Sequence, residues 1–127
     1  MKMKALLMAL ALAGALAACS TMMSESAPAR VQSGALVDAK GMTLYTFDKD
    51  PAGSGKSMCI DQCAKAWPPL VAPGDARPVG DYTVITRSDG AKQWAYKGKP
   101  LYTWVKDTKP GDMTGEGFRN IWRVARP

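Results

Sequence analysis

Histidine is missing from all 127 residues, which removes the commonest general base and the commonest metal ligand together. Cysteine is scarce, with three in the chain, so a four-ligand zinc site lacks its donors. No apolar run is long enough to cross a bilayer. The longest, Ala5 to Ala18, falls short of the roughly 20 residues a membrane helix needs. Basic residues outnumber acidic ones by 17 to 11, a formal charge of +6. They are nevertheless scattered (Lys40, Lys49, Lys65, Arg77, Arg87, Lys92, Lys97), without the clustering of a nucleic-acid footprint. No aromatic residue precedes Tyr45, so the core is expected beyond that point.

What is present at the start reads as an address. A basic Met1-Lys-Met-Lys4 precedes the apolar run, and small residues end it, the pattern of a secretory signal over residues 1–18. The junction Leu16-Ala17-Ala18-Cys19 resembles the lipobox of bacterial lipoproteins, which implies cleavage before Cys19 and diacylglyceryl modification of its thiol. Ser20 follows where Asp is absent, which in a Gram-negative host implies sorting to the outer membrane, facing the periplasm. Residues 19–33, lipidated cysteine included, then form a flexible tether, since residues 20–33 are small, polar and aperiodic. Without Lys2 and Lys4 the formal charge falls to +4, a solvated surface with mild attraction to anionic headgroups or glycans.

The remainder, residues 34–127, is organised by a repeat. Gly41 to Asp50 is echoed 57 positions later by Gly98 to Asp107, and six of the ten positions are identical. Phe47 is answered by Trp104. Two copies are too few for an open solenoid, so they predict two pseudo-equivalent halves of one domain, about 34–71 and 91–125. The hairpin signals are Leu36-Val37 returning through Asp38 to Gly41 into Thr43–Phe47, and Tyr82–Thr86 returning through Asp89-Gly90 into Gln93–Tyr96. Further strands are predicted over Leu101–Val105 and Asn120–Val124. Ile60, Cys63, Ala64 and Trp67 fall at helical spacing, with Asp61 early and Lys65 late, and Pro68-Pro69 ends the stripe. That predicts one short helix around 58–67 in a mainly β, antiparallel domain. Trp122 is expected to play in the second half the part of Trp67 in the first.

Tyr45, Phe47 and Asp50, answered by Tyr102, Trp104 and Asp107, match the Tyr-x-aromatic-x-x-Asp motif of bacterial predicted lipoproteins known as the secreted repeat of unknown function. The similarity runs from about Leu36 to Val124 and takes in the Cys59–Cys63 segment, Trp67-Pro68-Pro69 and the Gly98-Lys-Pro-Leu-Tyr102 start of the second copy. The resemblance implies an envelope location and a duplicated repeat, and no activity.

Each chemically suggestive feature has a structural alternative. Asp50 and Asp107 read either as a carboxylate pair for metal or acid–base work, or as caps of the loops that follow their strands, with duplication favouring the caps. With Cys19 lipidated, Cys59 and Cys63 are an even pair in an oxidising compartment. Their x3 spacing favours a structural disulfide over a redox-active one. Gly53-Ser-Gly-Lys-Ser57 imitates a P-loop end but has Asp50 where the first glycine belongs. Asp107, Asp112 and Glu116 do not match a calcium loop, and Lys109 lies among them. The aromatics read as a sugar- or quinone-stacking surface or, at alternating strand positions, as core.

These features together predict a non-enzymatic, lipid-anchored envelope protein. It would bind through loops of the duplicated domain, need no metal or cofactor, and take an envelope protein, glycan or small molecule as partner. The competing expectation is a periplasmic redox or electron-transfer accessory working through Cys59 and Cys63. A hydrolase using Asp50 and Asp107 would require both carboxylates in one cleft.

Overall fold

The computed structural model describes residues 26–127. The signal segment, Cys19 and the first part of the tether lie outside them. Seven short strands, β1 (Arg30–Gln32), β2 (Ala35–Val37), β3 (Tyr45–Phe47), β4 (Tyr82–Thr86), β5 (Lys92–Tyr96), β6 (Lys99–Pro100) and β7 (Trp122–Val124), accompany one helix, α1 (Gln62–Ala66), and a 3-10 turn at Phe118–Asn120. All pairings are antiparallel: β1 with β2, β3 with β7, and β4, β5 and β6 in order. The domain is mainly β with two repeats, as the sequence predicts.

The two repeats do not fold side by side. Each completes the other. In the first half Leu44 N–H donates to Leu36 C=O, Ala125 N–H to Leu44 C=O, and Leu36 N–H to Ala125 C=O, closing a ring of three backbone bonds. In the second half Leu101 N–H donates to Trp94 C=O, Leu70 N–H to Leu101 C=O, and Trp94 N–H to Leu70 C=O. The third segment of each ring comes from the opposite repeat, Ala125 in one case and Leu70 in the other. Tyr45 and Tyr102 join the rings by exchanging backbone bonds of 2.7 and 3.0 Å. A pseudo-twofold axis therefore passes between these two tyrosines.

Alternation along the strands sorts the interior into two clusters. Tyr45, Phe47, Trp67, Tyr102, Trp104 and Trp122 form an aromatic one. Leu36, Leu44, Ala72, Trp94, Leu101 and Ala125 form the other, on the opposite side of the same segments. Trp67 and Trp122 occupy equivalent places, and Phe47 and Trp104 flank them.

The structure departs from expectation in four places. The tether ends sooner than residue 33, because Arg30–Gln32 is strand β1. It turns through Ser33 and Gly34, both at positive φ (53° and 77°), to bond the free edge of β2. Its side chains are exposed, so backbone bonding and not burial makes it a strand, and no apolar pattern announces it. The helix is only five residues long. Asp61 is its N-cap, at φ 55° without a capping bond, and Ile60 is exposed at 41% because the Cys59–Cys63 disulfide turns the chain before the helix begins. Past Pro100, Leu101–Val105 does not continue as a regular strand. Tyr102 bridges both Tyr45 and Pro69, and Thr103 N–H and Val105 N–H reach Pro68 C=O and Ala66 C=O. The facing Pro68-Pro69 has no N–H to return, so the ladder stays one-sided. The last strand starts at Trp122 because Arg119 and Asn120 are left-handed (φ 50° and 60°).

Candidate functional site

The motif residues meet across the axis. Asp50 lies three residues past β3, where its own N–H bonds back to Phe47 C=O. One carboxylate oxygen accepts Met58 N–H at 2.6 Å, inside its own loop, and the other accepts the Tyr102 hydroxyl at 2.5 Å. Asp107 repeats the arrangement. One oxygen accepts Thr114 N–H and Oγ1 at 3.0 and 2.6 Å, and the other accepts the Tyr45 hydroxyl at 2.7 Å. Each tyrosine is thus bound by the aspartate of the other copy. The two carboxylates share no hydrogen-bond partner. Both tyrosines are wholly buried. Burial, with the neighbouring carboxylate, pushes both phenols well above their ordinary range.

The two networks differ beyond the tyrosines. The Tyr45 hydroxyl accepts Gly115 N–H at 3.1 Å, and a Cβ at Gly115 would lie 2.7 Å from the Trp67 ring. Glycine is required there by contact. The Tyr102 hydroxyl instead meets Ser57 Oγ at 2.7 Å, and Ser57 accepts from Arg87 Nη1 at 2.9 Å. Arg87 is 5% exposed and also donates to Gln93 Oε1 and Cys59 C=O. Its direct acceptors are neutral. Asp50 is its counter-charge, reached through two hydroxyls, and Arg87 pulls the Asp50 carboxyl down while burial, the larger effect, pushes it up. The strand register puts Gly34 and Ala35 opposite Arg87 and Gln93 in the other half, so this buried cation belongs to one copy alone. Sequence reasoning missed Ser57, Arg87 and Gln93. The one available signal was Gln93 beside Trp94 in a strand otherwise read as core.

The disulfide Cys59–Cys63 closes the loop before α1. Cys59 is fully buried, and its carbonyl holds Arg87. Among the described residues no group of three or more Cys, Asp or Glu is disposed to hold a metal ion.

The aromatics form a row, Phe47–Trp122–Trp67–Trp104, with ring centroids 4.3, 3.8 and 3.9 Å apart. The central pair, related by the axis, is parallel to within 3°. Both faces of Trp67 and Trp122 are covered by other rings, so neither central tryptophan offers a face for a sugar to stack on. One side of the row opens into a groove of about 400 Å³ between α1 and the 3-10 turn, with Gln62, Cys63 and Ala66 on one wall and Phe118, Arg119 and Ile121 on the other. Non-glycine residues at positive φ sit on both rims, Asp61 beside Gln62, and Arg119 with Asn120. Backbone strain of this kind gathers where an arrangement is held for a use.

The fold and its reciprocal tyrosine–aspartate bonds define a duplicated antiparallel β-domain with exchanged closing segments. A family model described as a secreted repeat of unknown function matches residues 30–71 and 83–126. The chain belongs to that family, whose description as secreted puts it in the envelope or outside the cell. Both matched stretches begin before the repeats predicted at 34 and 91, since each includes the strand (β1 or β4) that pairs with the first ring segment. No curated protein and no solved structure matches the chain. Among the described residues no helix is long and apolar enough to cross a membrane.

Proposed function

We propose that the protein is a non-enzymatic binding module of the bacterial envelope, anchored through acyl chains on Cys19, that seats a protein partner's apolar side chain in the groove along the tryptophan row. The observation that carries this reading is the groove itself, apolar at its floor, strained at both rims and centred on the element the two repeats build jointly. The motif's own polar groups are engaged in holding the repeats together, which leaves surface concavities to carry recognition. The edges of the tryptophans reach the groove but their faces do not, which favours an inserted side chain over a stacked sugar. The redox alternative is confined to attack at Cys63, on the groove wall, since Cys59 is fully buried and thiol–disulfide exchange requires access to sulfur.

Filling the groove tests the proposal. Gln62 is exposed, so Gln62→Trp should leave the melting temperature unchanged while abolishing capture of the envelope partner cross-linked by wild-type protein. The Cys59→Ala/Cys63→Ala variant should still capture it. Capture unaffected by Gln62→Trp would overturn the groove assignment, and capture or activity lost only in the cysteine variant would favour the redox reading.

A further inference from the structure

A second concavity lies away from the groove, where the turn between β5 and β6 meets β7. It measures about 270 Å³ and is lined by Lys97, Lys99, Arg123 and Arg126, with Tyr96 and Thr46 among its walls. Asp48 engages Arg123, accepting Nε and Nη2 at 3.1 and 3.0 Å. Arg126 Nη1 donates to Gly34 C=O at 3.1 Å, which aims the guanidinium without neutralising it. Lys97 Nζ lies 5.4 Å from the Tyr96 ring centroid. Among the described residues neither lysine forms an ion pair.

The duplicated fold supplies its own control. Equivalent residues follow from the two backbone rings, the paired tryptophans and the paired turn glycines. Lys97 and Lys99 flank Gly98 as Lys40 and Met42 flank Gly41. Arg123 follows Trp122 as Pro68 follows Trp67, and Arg126 follows Ala125 as Val71 follows Leu70. The place of Tyr96 is taken by Asp38. One half therefore gathers four cations where the other has one cation and an acid. Folding is satisfied by either set, so packing does not account for the cations, and their mutual repulsion opposes bringing them together.

We infer that this cleft is an anion site for a phosphate ester, with Lys97, Lys99, Arg123 and Arg126 around the phosphate and the Tyr96 side taking the ester's carbon part. After Asp48 is counted, three positive charges remain. That suits an oxyanion with several acceptor oxygens better than a single carboxylate. The cleft is larger than a bare phosphate needs and smaller than a drug-sized pocket. The ester could belong to a phospholipid headgroup or to a soluble metabolite.

The test is calorimetric titration of the full-length protein in neutral detergent. The probes are glycerol phosphate for a soluble monoester, glycerophosphoglycerol for a deacylated headgroup diester, and succinate as a dicarboxylate control. At least one phosphate probe should bind more tightly than succinate, and which one does assigns the source. Lys97→Ser/Lys99→Ser should weaken that binding about tenfold with melting unchanged, and Lys40→Ser, on the equivalent turn, should not weaken it. Absence of binding by both phosphate probes would overturn the inference, as would equal binding of succinate or an equal loss with Lys40→Ser.

Discussion

At the scale of single residues, the tyrosine–aspartate pairs are where the fold is most easily broken. Tyr45→Phe or Tyr102→Phe leaves a buried carboxylate oxygen without its donor and should cost about 1–3 kcal/mol each in denaturant unfolding. Asp50→Asn and Asp107→Asn keep one acceptor, and the tyrosine hydroxyl can accept from the new amide, so both should be milder than the alanine variants. Arg87→Ala is expected to be worse, about 3–5 kcal/mol, because it leaves the buried Gln93 Oε1 and Cys59 C=O without their charged donor. The pH dependence follows from Asp50. Burial raises the Asp50 pKa above its ordinary value, so the folded state holds this proton more tightly than the unfolded chain does. The resulting stability is present below the unfolded pKa of about 4 and is lost as pH rises through the folded value. Stability measured against pH for wild type and Asp50→Asn should differ by a descending step in that acidic window, and parallel curves would refute it. Removing Arg87 should move the step to higher pH.

At the scale of elements, the disulfide and the close-packed glycines set the loops. Cys59–Cys63 closes a short loop, for which loop-closure entropy predicts about 2 kcal/mol. Replacing both cysteines with serine should lower the melting temperature accordingly, and some of the loss should come from a less well held Arg87, since Cys59 C=O is one of its acceptors. Gly98 combines φ 83° with a Cβ position 2.7 Å from Gly53 N, and its equivalent Gly41, at φ 85°, abuts Pro110 in the same way. Gly98→Ala should be destabilising on both counts. The repeat motif thus begins with glycine because each turn packs under the loop that follows the aspartate of the other copy.

At the scale of the whole molecule, the exchanged closing segments make the two repeats interdependent. Leu70 completes the second ring and Ala125 the first, while Trp67 stacks on Trp122. Residues 26–80 and 81–127 expressed separately should therefore lack fixed aromatic packing, and mixing them should restore it. Near-ultraviolet circular dichroism of each piece and of the mixture measures this directly. Native-like aromatic signal in either piece alone would show that the exchange is not needed for folding.

Much of this was determined by the sequence by itself. Period-two alternation marked Tyr45–Phe47 as strand, Asp38 to Gly41 and Asp89-Gly90 as turns, Pro68-Pro69 as the end of the helix, and the 57-residue offset as a duplication. Those are local properties of backbone freedom and apolar spacing, and they can be read from neighbours along the chain. Tertiary structure decided the rest. β1 has no buried side chain to betray it, and Arg87 looks like any surface cation until Ser57, Gln93 and the Cys59 carbonyl surround it. The deepest ambiguity is one that duplication creates. Tyr45 finds the same chemistry in Asp50 and Asp107, and Trp67 the same partners in either half, so sequence cannot say whether each repeat closes on itself or on its twin. Only the packing of two faces across one axis, where Trp67 and Trp122 stack and each ring borrows its third segment, selects the exchanged arrangement.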